Sequence, residues 1–163
     1  MSGEPNKAAP LAASTGPFLQ FACLCEKVLQ ESDGVMSLIR VVDQVMQTAT
    51  GTEVPDQMPP FVIENLKLVI ALKGGKARGR YAVKIRPEDP SGSQLPTFEM
   101  AVHFEGANRG VNMISDLRFA VQLEGLYWFD VLFAPGKGHE DVLLTRIPLE
   151  VIYRPQKLAP SPE

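Results

Sequence analysis

Residues 117–134 read LRFAVQLEGLYWFDVLFA. Leu117, Phe119, Val121 and Leu123 alternate with Arg118, Ala120, Gln122 and Glu124, and then Tyr127, Phe129, Val131 and Phe133 alternate with Trp128, Asp130, Leu132 and Ala134. Successive side chains of a strand point to opposite faces, so a period of two gives each run one face to bury. A helix would instead repeat its apolar residues at i, i+3 and i+4. The stretch therefore reads as two strands.

The same period continues on both sides. Tyr81, Val83 and Ile85 alternate with Ala82, Lys84 and Arg86. Phe98, Met100, Val102 and Phe104 alternate with Glu99, Ala101, His103 and Glu105, and Leu149, Val151 and Tyr153 with Glu150, Ile152 and Arg154. Between the runs lie KGGKARG, RPEDPSGSQLP, GANRG and APGKGHED. Glycine in these segments supplies positive φ, proline presets φ, and Asp and Asn close local turns. Short strands with such punctuation predict an all-β, antiparallel sandwich of about seven to nine strands. The single domain is expected over residues 17–154, between a flexible leader at 1–16 and a disordered tail at 155–163.

Composition agrees with a self-sufficient core. Of 163 residues, 45% are hydrophobic and 21% charged, close to globular averages. A chain of this size buries roughly 68–70% of its unfolded surface, enough to fold without metals or disulfides. The net charge of −3 does not suit a general nucleic-acid binder, which carries a basic domain or face. The N-terminus, MSGEPNKAAPLAASTGP, lacks the apolar core of a secretory signal, and no apolar stretch reaches the ~20 residues that cross a bilayer. Two cysteines suit a reducing compartment. The expectation is a soluble, cytoplasmic protein.

Residues 34–47, GVMSLIRVVDQVMQ, fit two readings. Val35, Leu38, Ile39, Val42, Val45 and Met46 follow helical spacing, with Ser32 and Asp33 available as caps. The β-branched run Ile39-Arg40-Val41-Val42 suits a strand. Pattern alone leaves both open.

Three ordered features carry a resemblance: an opening strand ending in LCEKV followed by DGVMSLIRVVDQV (Asp33–Val45), then RGRYAVKIRPEDPSG (Arg78–Gly92), then LEGLYWFDVLFAPGKGHEDVLLTRIPLEVIY (Leu123–Tyr153). Over about residues 18–154 the chain resembles an uncharacterised bacterial domain-of-unknown-function family. Its members open with a Cys-containing strand, continue through a Gly-Lys-like turn into SLIGVFD, and end with a G-x-Y-x-F-x-V hairpin closing on PL-x-V. This sequence departs from that pattern at Gly34-Val35, where the usual lysine is missing, and in the longer loop APGKGHED. The resemblance implies an Ig-like or C2-like sandwich, a strand over residues 35–45, and no particular activity.

The candidates for chemistry are few. Cys23 and Cys25 lie two apart in the opening strand, on one face with Leu19 and Phe21. At ~3.3 Å per residue their Cα atoms stand ~6.5–7 Å apart, at or beyond the usual span of a disulfide. A structural zinc site needs four ligands, and His103 and His139 fall in separate segments, so the pair is read as core packing. KGGKARGR (Lys73, Lys76, Arg78 and Arg80 around Gly74, Gly75 and Gly79) lacks the Ser or Thr of a phosphate loop and is read as a hairpin connection. The alternative reading makes its cations a contact surface for acidic partners. Glu88, Asp89, Glu140 and Asp141 would make a weak calcium site if their loops met; Asp33, Asp56 and Asp116 are scattered. Ser37 or Ser115 with His103 and Asp116 gives a triad on paper, but the chain contains no nucleophile elbow. Trp128 lies on the second face of its strand, covered by other parts of the chain or by a partner.

No residue is therefore assigned as catalytic, cofactor-binding or metal-binding, and no cofactor is expected. The function expected is that of a non-enzymatic binding or accessory module whose partner is another protein, with KGGKARGR and APGKGHED as its contact loops. The alternatives are an enzyme whose site is assembled from loops and a C2-like calcium- or lipid-binding module.

Overall fold

A computed structural model describes residues 15–159. Among the described residues nine strands follow one another: β1 (Phe18–Gln30), β2 (Met36–Val41), β3 (Gln44–Gly51), β4 (Phe61–Lys73), β5 (Gly79–Glu88), β6 (Phe98–Phe104), β7 (Gly110–Val121), β8 (Gly125–Ala134) and β9 (Val142–Lys157). They form two sheets, a four-stranded one ordered β2-β1-β4-β7 and a five-stranded one ordered β3-β9-β8-β5-β6. Every pairing is antiparallel except that of β3 with β9, which is parallel. The all-β sandwich expected from the sequence is the observed architecture.

The alternating runs supply the core. Leu24, Leu68, Ile70 and Leu72 from one sheet meet Val83, Ile85, Phe129, Val131 and Leu149 from the other, all fully buried. Each such side chain contributes about 1.5–3 kcal/mol relative to an exposed one. At the start of β8, the buried Tyr127 hydroxyl donates to Leu123 O at 2.9 Å and accepts from Leu123 N at 3.3 Å. This bond ties the β7–β8 turn to the core, as the tyrosine corner does in immunoglobulin-type sandwiches. Leu123 lies past the end of β7 in that turn and is exposed, not buried as its alternation suggested.

Residues 34–47 hold β2 and the first half of β3, no helix, and the two strands belong to different sheets. Val42 N bonds Leu24 O in the first sheet at 2.8 Å, and Asp43 O accepts from Glu150 N in the second at 2.9 Å. The chain thus crosses the sandwich between two neighbouring residues. Just before the crossing Arg40 adopts φ 55°, in the left-handed region that non-glycine residues seldom occupy.

Three sequence expectations need adjusting. A bulge between Leu19 and Phe21 reverses the parity of β1, so Leu19, Ala22 and Leu24 face the inter-sheet core while Phe21, Cys23 and Cys25 face outward. β9 runs past Arg154 to Lys157, because Pro155, Gln156 and Lys157 pair with Ala49, Thr50 and Gly51. KGGKARGR carries the chain from β4 in one sheet to β5 in the other, so it is a crossover and not a hairpin. Of the expected leader and tail, residues 1–14 and 160–163 lie outside the described residues.

Candidate functional site

Register brings three connections to one end of the sandwich. Lys73 faces Gly110, Gly79 faces Phe104, and Phe133 faces Val142. The β4–β5, β6–β7 and β8–β9 turns are therefore neighbours, and KGGKARGR and APGKGHED share a surface. The first of these loops is held by backbone bonds. Lys76 N donates to Thr15 O at 2.7 Å, Gly74 N to Arg109 O at 3.0 Å, and Gly75 N to the Asn108 side-chain oxygen at 3.0 Å. Gly75 has φ 57°, and a Cβ there would stand 2.4 Å from Thr15 O. Only glycine permits both the left-handed turn and this close approach.

Around that fixed backbone Lys73, Lys76, Arg78 and Arg80 are exposed, and among the described residues none of the four forms an ion pair. In the adjoining loop, Lys137, His139 and Glu140 are exposed. Asp141 bonds Lys84 at 2.8 Å, and that hydrogen bond holds the Lys84 ammonium above its ordinary pKa. Arg109 pairs with Glu105. The end is thus rich in cations without internal partners.

A second constellation lies on the outer face of the five-stranded sheet. Asp130, 6% exposed, sits on β8 between Arg86 on β5 and Arg146 on β9. Arg86 Nη2 donates to Oδ2 at 3.0 Å and Arg146 Nε to Oδ1 at 2.5 Å. Burial pushes the Asp130 carboxyl up, and the bonds from Arg146 and Arg86 outweigh it, so its pKa lies below the ordinary value. Arg146 also reaches Glu88 at 3.5 Å and lies 4.8 Å from the Trp128 ring centroid. Trp128 is half-buried, covered from within the chain by this guanidinium. The sequence showed these residues but not their meeting, which depends on the register of three strands.

A third feature is a cleft of about 480 Å³ where β6 and β7, the facing edges of the two sheets, part company. Leu95, Phe98, Leu117 and Phe119 wall it and Tyr127 and Phe129 floor it, with Asp89, Arg118 and Gln122 at the rim. Phe119 stacks edge-on against Phe129 at 5.4 Å. The alternation puts Phe98, Leu117, Phe119, Tyr127 and Phe129 on buried strand faces but carries no sign that the sheets separate there.

The remaining candidates are dispersed. Cys25 is fully buried and Cys23 half-buried, both as free thiols on the outer face of the four-stranded sheet beside Lys67 and Val69. Burial raises both thiol pKa values; the neighbouring Cys25 raises Cys23 further, while the Lys27 backbone and Lys67 partly offset the effect at Cys25. The two acidic loops do not meet. Glu88 and Asp89 end β5 beside Trp128, whereas Glu140 and Asp141 lie at the opposite end before β9. Asp89 is occupied by Ser91 and Ser93, and its bond from the Ser91 hydroxyl at 2.6 Å lowers its pKa. Ser115 pairs with the core residue Leu68 and faces inward, Asp116 faces outward, and His103 lies on the outer face of the other sheet. Ser37 is across from Leu29 on β1. The paper triad is therefore not assembled. Among the described residues, no group of three or more His, Cys, Asp or Glu is placed to hold a metal ion.

No family model and no curated protein matches the sequence. Among solved structures, the fold is similar to an immunoglobulin-like protein from Pseudomonas aeruginosa, at 13% identity and a TM-score of 0.37, over 85% of this chain and 98% of that one.

Proposed function

We propose that this chain is a non-enzymatic binding module of a bacterial cytoplasm that engages an acidic surface of another protein through the cationic end of its sandwich. One observation carries the reading: Lys73, Lys76, Arg78 and Arg80 surround a turn whose backbone is bonded in place, and no acid among the described residues neutralises them. Cations so displayed steer an acidic partner and select against basic ones. The adjoining loop adds Lys137 between Gly136 and Gly138, both at positive φ. Behind it the two sheets pack on one hydrophobic core, in keeping with loops that bind from a fixed frame.

The test compares the wild-type chain with a variant carrying Lys73→Glu, Lys76→Glu, Arg78→Glu and Arg80→Glu in quantitative affinity purification from the source cells. The expected result is a partner with an acidic surface that is retained by the wild type, lost by the variant, and released from the wild type as salt is raised. Retention by the variant of every protein that the wild type retains would overturn the reading.

A further inference from the structure

The four sheet edges are guarded unequally. β2 spans six residues and is kinked at Arg40, β6 spans seven, and β3 spans eight. β7 spans twelve, GVNMISDLRFAV, with no proline and no lysine. It pairs with β4 on one side, and on its other side, among the described residues, no backbone partner reaches it. Short length, proline, charge and bulges are the usual protections of an edge, and β7 has only charge, in two side chains of opposite sign, Asp116 and Arg118.

We propose that two copies of this chain pair β7 against β7, antiparallel, about a two-fold axis at Leu117, joining their four-stranded sheets into one of eight. Asp116 and Arg118 flank Leu117 on the outer face, with side chains 79% and 71% exposed. Pairing centred on Leu117 sets Asp116 of each copy directly opposite Arg118 of the other. Within each copy Asp116 already pairs with Lys67 and Arg118 with Glu64. Across the joined sheet the charges then read Lys67, Asp116, Arg118, Glu64, alternating in sign without a break. Moving the axis by one residue, the smallest shift that keeps the faces matched, sets Asp116 against Asp116 or Arg118 against Arg118. Like charges directly opposite are destabilising, so the sequence selects one register.

The inner face of β7 supports the same partner. The apolar cleft walled by Leu117 and Phe119 opens at this edge. A second β7 closes its open side, with Leu117 at the axis and Phe119 of one copy opposite Ser115 of the other. An isologous contact of this kind closes on itself and does not propagate into fibres. This surface is distinct from the cationic end and does not depend on it.

The experiment is sedimentation velocity of the full chain across micromolar concentrations, with Asp116→Arg and Arg118→Asp measured separately and as an equimolar mixture. The wild type is expected at twice its 17.9 kDa monomer mass. Each single variant sets two like-charge pairs across the axis and is expected to raise the dimer Kd by about tenfold or more. The mixture is expected to recover dimer, because every facing pair in the heterodimer is again of opposite sign. Both positions are exposed, and far-ultraviolet circular dichroism of each variant verifies an unchanged fold. A monomeric wild type at 100 µM, or single variants that dimerise as well as the wild type, would overturn the proposal. So would a mixture that stays monomeric, which would point to a peptide of another protein as the strand that β7 accepts.

Discussion

Replacing Asp130 with asparagine probes the arginine clamp on the five-stranded sheet with almost no change of shape. The carboxylate accepts from Arg146 at 2.5 Å on one oxygen and from Arg86 at 3.0 Å on the other. The amide keeps one acceptor and turns an NH2 group toward the second guanidinium, so one charge-assisted bond is lost and a donor faces a donor. Such a bond is worth about 1.5–3 kcal/mol. The two arginine side chains are 40% and 39% exposed, so water takes over part of their solvation and limits the cost. The expected loss is about 2–3 kcal/mol at pH 7, or a fall in Tm of about 4–12 °C for a domain of this size. The pH dependence is the sharper part. The Asp130 pKa is lowered by folding, so its contribution is present in full above the unfolded carboxylate value of about 3.9 and is lost as pH falls through the folded value. Urea unfolding followed by circular dichroism, at pH 7 and again near pH 3, should show the gap between wild type and Asp130→Asn narrowing at the lower pH. A variant within 0.5 kcal/mol of wild type at pH 7 refutes the clamp. A gap of full size that ignores pH refutes its electrostatic origin.

Other outcomes follow from single contacts. Tyr127→Phe keeps the buried ring and removes both bonds to Leu123, and should cost about 1–2 kcal/mol in urea unfolding. Gly75→Ala meets Thr15 O and a positive φ together, so a thermal melt should show at least the ~1 kcal/mol of a left-handed alanine. Leu68→Ala empties a fully buried position in the middle of the core and should cost about 2–5 kcal/mol in the same measurement. Thiol titration of the native chain should label the half-buried Cys23 before the buried Cys25, both slowly, and oxidation should leave the two unlinked.

The strands from Tyr81 to Tyr153 were legible because their core-facing residues recur with a period of two, which needs no knowledge of neighbours. Residues 34–47 were ambiguous for a physical reason. Val42 belongs to one sheet and Asp43 to the other, and a crossing between sheets breaks the period that identifies a strand. The faces of the cysteines were misjudged because one bulge near Gln20 inverts parity, and nothing in FLQFACLC marks it. The cations of KGGKARGR could be read as a surface directly. That APGKGHED lies beside them, and that Arg86, Asp130 and Arg146 meet, are matters of register, which distant pairings decide. The cleft is less visible still, since its walls come from strands of both sheets that no local pattern brings together.

The parallel pairing of β3 with β9 sets an order on biogenesis. Gln44 faces Glu150, and Gly51 faces Lys157, so β3 docks on a strand made at the far end of the chain. At about 5–20 residues per second, a ribosome delivers that partner on the order of 5–20 s after β3 itself has emerged. During the wait β3 is an unclaimed template with bare amides and carbonyls. Its threonines and glutamines, Gln44, Gln47, Thr48 and Thr50, suit an interval spent in water. Nascent chains stalled before residue 142 should therefore leave residues 44–51 open to protease and to chaperones, and release of the finished polypeptide should shut that window.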